Sequence, residues 1–277
     1  VTGNPDLDAA FNHNVRFRFN NSDFQKGKTF FAMLNGTLTQ NKIVSNNTRG
    51  RDEELGIVQQ TNYLNEDGAF NLNGFYHYGR SFKEKVYSIN FMGGVGYNNN
   101  PSYSEGDLNL AKNWNLNQGI MFRYNPSENL EINPGFRYSW NHTQNTLNDQ
   151  SVVMQSYTPT LVGSVNIRPN LIFGADLSKN FYVGNAFNAN PFIINTYIEQ
   201  KFMKGNKASV RLQAFDLLNE QTNISRTVNA IQISDSRTNR LGRYFMVLFT
   251  YKLSKFAGGI DMSDDNRGPG GMRRPRM

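Results

Sequence analysis

The sequence predicts an all-β protein, a transmembrane antiparallel β-barrel of which this chain contributes about eleven strands. Three observations lead to this prediction: apolar residues recur at every second position, short and long connections alternate, and the composition is polar but aromatic. The mean hydropathy is −0.59, although aromatic residues make up 13% of the chain. A barrel strand needs an apolar side chain only at alternate positions, so this composition suits strands that cross a membrane. No run reaches the roughly 18 apolar residues that a membrane helix requires.

The alternation is clearest in two segments, around residues 87–97 and 130–140. In the first, the apolar side carries Tyr87, Ile89, Phe91, Gly93, Val95 and Tyr97, and the other side carries Ser88, Asn90, Met92, Gly94 and Gly96. In the second, the outward residues are Leu130, Ile132, Phe136, Tyr138 and Trp140, and the inward residues are Glu131, Asn133, Gly135, Arg137 and Ser139. Charged residues that alternate with aromatic ones must face water, so each strand is predicted to have a lipid side and a water side.

The same pattern, followed along the chain, gives eleven strands with boundaries uncertain by about two to four residues. They are Asn14–Asn20, Thr29–Lys42, Phe70–Arg80, Val86–Asn98, Leu116–Asn125, Leu130–Asn141, Thr158–Arg168, Leu171–Val183, Phe192–Phe202, Ser209–Leu218 and Tyr244–Leu253.

The connections between these strands alternate in length. Short polar turns are predicted at Phe24–Lys28, Phe82–Lys85, Pro126–Asn129, Pro169–Asn170 and Met203–Lys207. Long loops rich in Asn, Ser and Asp are predicted at Val44–Asn65, Asn99–Asn115, Thr143–Ser156 and Ile224–Gly242. Short periplasmic turns and long external loops are typical of outer-membrane barrels.

This arrangement predicts that the chain is part of a larger barrel. The last strand follows a long loop and therefore runs toward the periplasm, and eleven strands then place the first strand's start outside the cell. A complete single-chain barrel has an even number of strands and begins in the periplasm, and unpaired strand edges are not tolerated in lipid. We therefore expect further strands upstream, with residues 1–255 as a barrel segment and 256–277 as a disordered periplasmic tail rich in Gly, Pro and Arg.

Several short motifs resemble TonB-dependent outer-membrane receptors. Asn4-Pro5-Asp6-Leu7, followed by Phe11-Asn12-His13-Asn14, is similar to their mid-barrel segment, and the run from Leu212 to Asn219 resembles their penultimate strand. The run from Arg243 to Leu253 is similar to their closing strand, and the Gly/Met/Arg-rich tail resembles the outer-membrane β-barrel branch of the Bacteroidetes. This resemblance covers nearly the whole chain.

The resemblance implies the C-terminal half of a barrel of about 22 strands in the outer membrane of a Gram-negative bacterium. It implies a transporter that takes up a solute too large for porins, with an N-terminal plug and an energising TonB complex as partners. Outer-membrane lipid, the barrel-assembly machinery and a surface lipoprotein are further expected partners. The assembly signal would be the alternating apolar positions of the closing strand: Phe245, Val247, Phe249, Tyr251 and Leu253.

Charged residues at inward positions are candidates for the lining of the lumen. They are Arg16, Arg18, Arg123, Glu131, Arg137, Arg168, Glu199, Lys201, Arg211 and Lys252. Two interpretations apply: a basic lumen that attracts anionic solutes, or charge pairs of the kind that line barrel interiors and plug interfaces. The second is favoured, and no particular solute follows from either.

Other chemistry is less well supported by the sequence. His13, His77 and His142 are isolated and lack the spacing of a metal site, so neither a metal nor a cofactor is expected. No nucleic-acid-binding module accompanies the net charge of +7, and nucleic acid is not an expected partner. No catalytic residues are predicted, because an outer-membrane hydrolase would need inward Ser, His and Asp or paired carboxylates near the outer rim.

Aromatic residues near strand ends suit the interfacial girdles of a membrane barrel. These residues are Tyr78, Tyr97, Tyr124, Trp140, Tyr182 and Tyr251. The leading hypothesis is therefore a transporter that is not an enzyme, with Asn-rich loops such as Thr143–Gln150 and Asn185–Asn190 contacting its ligand. The alternative is a non-transporting outer-membrane barrel that serves as a scaffold or assembly subunit, and an upstream plug would distinguish the two.

Overall fold

The structure is a computed structural model, and it describes residues 4–23, 25–52, 56–83, 85–147, 149–184, 190–221, 224–228, 233–238 and 241–253. The tail predicted to be disordered, 256–277, and most of the Asn185–Asn190 loop lie outside the described residues. These described ranges contain sixteen strands: β1 Phe11–Asp23, β2 Lys28–Gln40, β3 Lys42–Asp52, β4 Gly56–Glu66, β5 Ala69–Phe82, β6 Tyr87–Ser104, β7 Asp107–Ser127, β8 Leu130–Asn145, β9 Gln150–Arg168, β10 Leu171–Lys179, β11 Phe181–Val183, β12 Phe192–Phe202, β13 Ala208–Phe215, β14 Ile224–Val228, β15 Ile233–Arg237 and β16 Tyr244–Tyr251.

One sheet of fourteen strands dominates the fold. Its main path runs β1-β2-β5-β6-β7-β8-β9-β10-β12-β13-β16, and every neighbouring pair on this path is antiparallel. The eleven strands of this path correspond one by one to the eleven predicted strands. The prediction of an all-β antiparallel protein is thus confirmed.

The sheet has two open edges. Within the described residues, β1 pairs only with β2 and β16 pairs only with β13, so the sheet is not closed on itself. Each edge strand presents a row of unpaired backbone N–H and C=O groups. The β16 side chains are exposed throughout the strand.

The long loops predicted from the sequence are largely strands, which corrects that prediction. β3 and β4 form a hairpin that spans the whole predicted loop Val44–Asn65, and β14 and β15 form another within Ile224–Gly242. In the predicted loop Asn99–Asn115, β6 and β7 continue to a tight turn at Glu105 and Gly106. Both turn residues have positive φ, 54° and 90°, as a two-residue hairpin turn requires. These segments are polar at most positions, so the apolar alternation that marks a strand is missing from them.

The loop predicted at Thr143–Ser156 is likewise shortened by strands on both sides. β8 continues to Asn145 and β9 begins at Gln150, and the two remain paired up to these residues. Two other boundaries also differ from the prediction. The predicted strand Leu171–Val183 is divided into β10 and β11, and the strand predicted to reach Leu218 ends at Phe215, where the following Asp216 adopts a φ of 48°.

Register gives the sheet two distinct faces, because residues paired across antiparallel strands point to the same side. Phe91 pairs with Tyr78 and Ile120, and Ile120 pairs with Phe136, so these residues share an apolar face. Asn90 pairs with Gly79 and Met121 on the opposite face, which is the polar face. The predicted division of residues 87–97 and 130–140 between two faces is confirmed.

The apolar residues of this sheet do not form a core. Apart from glycines and the prolines Pro101 and Pro191, the only apolar residues buried within the described ranges are Val44, Ala69 and Ala208. Large apolar side chains such as Phe17, Leu161 and Leu212 are 41–58% exposed on the apolar face. No described residues form a helix with the length and apolar character needed to cross a membrane.

Candidate functional site on the polar face

Most of the charged residues predicted to face inward share the polar face of the sheet. The register places Arg16, Arg18, Arg123, Glu131, Arg137, Glu199, Lys201 and Arg211 on this side of the sheet. Two predicted members are less clearly placed. Arg168 lies at a register shift beside Leu171, and Lys252 follows the end of β16.

The best-formed charged cluster joins β12 and β13. Glu199 and Arg211 are directly opposite one another, and the guanidinium donates through Nε (2.9 Å) and Nη2 to one carboxylate oxygen of Glu199. The guanidinium also lies over the ring of Tyr197, 4.3 Å from its centroid. That ring covers Gly174 of β10, where an added Cβ would come within 2.2 Å of it. The pair is largely enclosed, with side chains 10% and 30% exposed.

A second ion pair joins β7 and β8. Arg123 Nε lies 3.3 Å from Glu131 Oε1, and the Asn133 amide donates to the same oxygen at 2.9 Å. Both charged side chains are more exposed than those of the first pair. A solvated pair of this kind contributes at most about 1 kcal/mol to stability.

The remaining arginines of the polar face are not in ion pairs within the described part of the chain. Arg16 donates to the Asn35 carbonyl at 2.9 Å, and Arg18 lies over the Phe31 ring at 5.3 Å. Arg137 faces Gly119 and Thr158 across the sheet. Each of the two sequence interpretations therefore fits part of the polar face. Glu131 and Glu199 are in ion pairs with arginines, whereas Arg16, Arg18 and Arg137 add positive charge without a carboxylate partner among the described residues.

An asparagine-rich depression lies on the same face, toward the end that carries the longer hairpins. It has a volume of about 370 Å³, and seven of its eleven lining residues are asparagines. These are Asn71, Asn73, Asn98, Asn100, Asn113, Asn115 and Asn145. None of the lining residues is charged, although the Lys42 ammonium donates to the Asn100 carbonyl at the edge.

Four side chains beside and within this depression form a closed ring of hydrogen bonds. Asn141 donates to Asn115 (2.5 Å), Asn115 to Asn113, Asn113 to Thr143 (2.6 Å), and Thr143 back to Asn141 (3.3 Å). Cross-strand register creates the ring, since Asn113 is opposite Thr143 and Asn115 is opposite Asn141. Next to it, Asn73 donates to Asn71.

The sequence did not predict this depression, because several of its lining residues were assigned to the predicted loops Asn99–Asn115 and Thr143–Ser156 and not to strands of the sheet. A signal was present in the repeated Asn-x-Asn spacing at residues 71–73 and 113–117. That spacing places asparagines side by side on one face of a strand. Which asparagines of neighbouring strands are adjacent depends on the register between the strands, and the spacing within one strand does not predict that register.

The three histidines do not come together. His13 contacts Gln40 and His142 contacts Ser151, both on the apolar face, while His77 lies on the polar face opposite Phe31 and Met92. No cluster of three or more His, Asp or Glu side chains that could hold a metal occurs in the described part of the chain.

The predicted aromatic residues lie mostly on the apolar face. Tyr97 packs against Trp114 with ring centroids 4.4 Å apart, and Trp140 lies on the next strand. Tyr182 is an exception: it pairs with Ser156, which belongs to the polar face, so its assignment to an apolar girdle was wrong. The change follows from the break between β10 and β11.

Four of the five positions of the proposed assembly signal form one exposed row on β16. Phe245, Val247, Phe249 and Tyr251 are 64%, 69%, 60% and 49% exposed, and all four continue the apolar face of β13. Leu253 follows the end of the strand and is 84% exposed.

These features define the class of the protein as an all-β chain built on one open antiparallel sheet with an exposed apolar face and a charged, amide-rich polar face. No family profile, no curated protein and no solved structure matches this chain.

Proposed function

We propose that this chain is the C-terminal part of an outer-membrane β-barrel transporter of the TonB-dependent type. The observation that carries the proposal is the apolar face, whose large side chains are exposed or half-buried along the eleven consecutive strands of the main path. Burial of apolar surface is the main favourable contribution to folding, and this sheet buries almost none among its described residues. Lipid hydrocarbon is the solvent that stabilises such a face, and the polar face then lines the interior.

The two kinds of connection support this orientation. Turns of two to five residues join β1 to β2, β5 to β6, β7 to β8, β9 to β10 and β12 to β13 at one end of the sheet. At the other end, β6 and β7 extend well beyond their neighbours and the β3–β4 hairpin lies beside them. Short turns on the periplasmic side and tall structures outside the cell are the arrangement of outer-membrane barrels.

The open edges support a larger barrel. Unpaired N–H and C=O groups are too costly in hydrocarbon, so a sheet that spans a membrane must be closed. We propose that further strands pair with β1 and β16 and that a plug fills the enclosed space. The long outer hairpins would capture the solute, and a TonB complex would supply the energy.

The chain's two tryptophans provide a direct test of the membrane assignment. Trp114 and Trp140 lie on the apolar face of adjacent strands. Trp140 is ten residues from Leu130 at the short-turn end, which at the usual rise and tilt corresponds to about 23 Å. Since the apolar band of such barrels is about 25 Å tall, both rings should lie near the outer boundary of the hydrocarbon.

The test is tryptophan quenching in vesicles of brominated lipid. We expect bromines placed near the headgroups to quench strongly and bromines near the chain ends to quench less, with unbrominated vesicles as the control. Strong quenching by aqueous iodide, without quenching by either brominated lipid, would contradict the membrane assignment.

Transport and scaffold functions are separated by the intact mass of the native protein in the outer-membrane fraction. A mass far above 31.6 kDa, with plug and strands upstream, is expected for the transporter. A native mass near 31.6 kDa would exclude the half-barrel and favour the scaffold or a small porin.

A further inference from the structure

We propose that the asparagine-rich depression is a binding site for a neutral, polyhydroxylated ligand such as an oligosaccharide. This proposal rests on the proposed function, because it names the class of solute that the outer part of the barrel would receive. It begins from the ring formed by Asn113, Thr143, Asn141 and Asn115.

The ring holds its side chains in fixed orientations while leaving part of their hydrogen-bonding capacity unused. A carboxamide has two N–H donors and a carbonyl oxygen with two lone pairs. Each ring asparagine uses one donor and one lone pair within the ring. One donor and one acceptor therefore remain on each of Asn113, Asn115 and Asn141, without a partner among the described residues. Such preorganisation lowers the entropic cost of binding.

The depression is shaped to admit a ligand. Gly96 lies between Asn73 and Asn115, and a Cβ there would fill the space between them at ordinary contact distance, 3.4 Å from Asn73 Oδ1 and 3.6 Å from Asn115 Cβ. Because Gly96 has no side chain, this space stays open between Asn73 and Asn115, which are both exposed, as is Asn98. The volume of about 370 Å³ falls within the roughly 300–1,000 Å³ typical of small-molecule sites.

The chemistry of the lining selects the class of ligand. The lining residues carry no charge, and the Lys42 ammonium at the edge donates to the Asn100 side-chain carbonyl, so the lining itself offers no counter-ion to an anionic or cationic solute. Carboxamides without hydrogen-bond partners disfavour an apolar solute, since each would lose water without replacement. A sugar hydroxyl can both donate and accept a hydrogen bond. It can therefore pair with the remaining N–H donor or the remaining carbonyl acceptor of each ring asparagine. A peptide would also need apolar subsites at alternate residues. Besides asparagines, Gly96 and Thr143, the lining residues are Ala111 and Tyr97, and the Tyr97 ring lies on the opposite, apolar face against Trp114.

The experiment is saturation-transfer NMR on the protein in detergent, with maltohexaose, mannohexaose and xylohexaose as probes. Wild-type protein is compared with the double variant Asn113→Leu/Asn115→Leu, which disrupts the ring with side chains of similar size. The matched control is Asn90→Leu, at the opposite end of the same face. If the double variant does not fold, Asn73→Leu replaces it, because Asn73 is an exposed lining residue outside the ring.

We expect transfer to the ring protons of at least one hexasaccharide. The double variant should reduce it about tenfold, as expected for the loss of two neutral hydrogen bonds, and Asn90→Leu should leave it unchanged. No transfer to any of the three sugars, equal transfer in the double variant, or equal transfer to the neutral peptide acetyl-tetraalanine amide would each overturn the proposal. Tryptophan quenching on the same preparation separates the two ideas: if quenching holds and transfer fails, only the ligand class is wrong.

Discussion

The Tyr197 ring packs between Gly174 and the Glu199–Arg211 ion pair. It lies flat against Gly174 on one side and carries the Arg211 guanidinium on the other. Arg211 in turn holds the Glu199 carboxylate. A side chain at position 174 would displace the ring and with it the arginine.

We therefore expect Gly174→Ala to lower the free energy of unfolding by about 1–3 kcal/mol, the usual cost of overpacking. The measurement is the urea midpoint of folding in detergent, followed by the heat-modifiable gel shift. Gly50→Ala is the matched control, because an added Cβ there has no neighbour within 4 Å. Equal midpoints for the two variants would show that the ring is not confined at Gly174.

The Glu199–Arg211 pair leads to a second prediction at this scale. Glu199→Gln removes the negative charge and leaves a partly enclosed guanidinium without its counter-ion. We expect a loss of about 1–2 kcal/mol in the same assay, below the 3–5 kcal/mol of a fully buried pair because Arg211 is partly solvated.

The exposed pair Asp23–Lys26 is the comparison for this variant. Its side chains are 39% and 74% exposed, so Asp23→Asn should change stability by less than about 0.5 kcal/mol. If Asp23→Asn proved as costly as Glu199→Gln, burial would not be what distinguishes the two pairs.

At the scale of elements, the β3–β4 hairpin is fastened to the tip of β6 by a few specific contacts. β3 pairs in parallel with β6 at Asn46 and Tyr103. The Arg49 N–H donates to both oxygens of the Glu105 carboxylate at 3.1 Å. The Tyr103 hydroxyl donates to Glu66 Oε2 at 2.5 Å. These contacts hold the hairpin against the tip of β6.

The Tyr103 contact gives a prediction about pH. The hydrogen bond to the Glu66 carboxylate raises the pKa of Tyr103 above its usual value of 10.0, because the neutral phenol is the form that donates. Its contribution to stability is therefore complete below about pH 10 and is lost as the pH rises through the raised folded-state pKa. Tyr103→Phe removes the contact at every pH.

We expect the stability difference between wild type and Tyr103→Phe to be constant from pH 7 to 9 and to shrink above about pH 10. The measurement is the urea midpoint at each pH, read by protease accessibility of the hairpin. Tyr63→Phe, on β4, is the control and should show no such trend, because no described residue bonds its hydroxyl. A wild-type advantage that persisted unchanged to pH 12 would contradict the assignment.

At the scale of the whole molecule, the sheet has two chemically different faces, one apolar and one polar. Phe91 and Asn90 are neighbours in β6 but belong to opposite faces. Phe91→Lys should cost about 2–4 kcal/mol if its face meets lipid near the midplane, while Asn90→Ser should be nearly silent. Folding yield in lipid vesicles measures both, and the reverse ranking would exchange the assigned inside and outside.

Local pattern was sufficient to predict the main path of the sheet, and it failed where that pattern is absent. The alternation in β6 and β8 follows from the two-residue repeat of a strand, a property of the chain itself. In β3, β4 and the parts of β6 and β7 near the Glu105–Gly106 turn, polar residues occupy most positions. The two-residue repeat therefore produces no alternation between apolar and polar residues there. These segments form strands because neighbouring backbones pair with them.

The sequence by itself determined the all-β class, the eleven strands of the main path and which residues of one strand share a face, since each depends on a short-range repeat. Only the tertiary structure decided which residues of different strands meet. The pairing of Glu199 with Arg211, the cover of Tyr197 over Gly174 and the asparagine ring all depend on register. Register is set by turn lengths and by bulges such as the shift between Tyr124 and Ser127, and a one-residue slip would move every side chain to the other face.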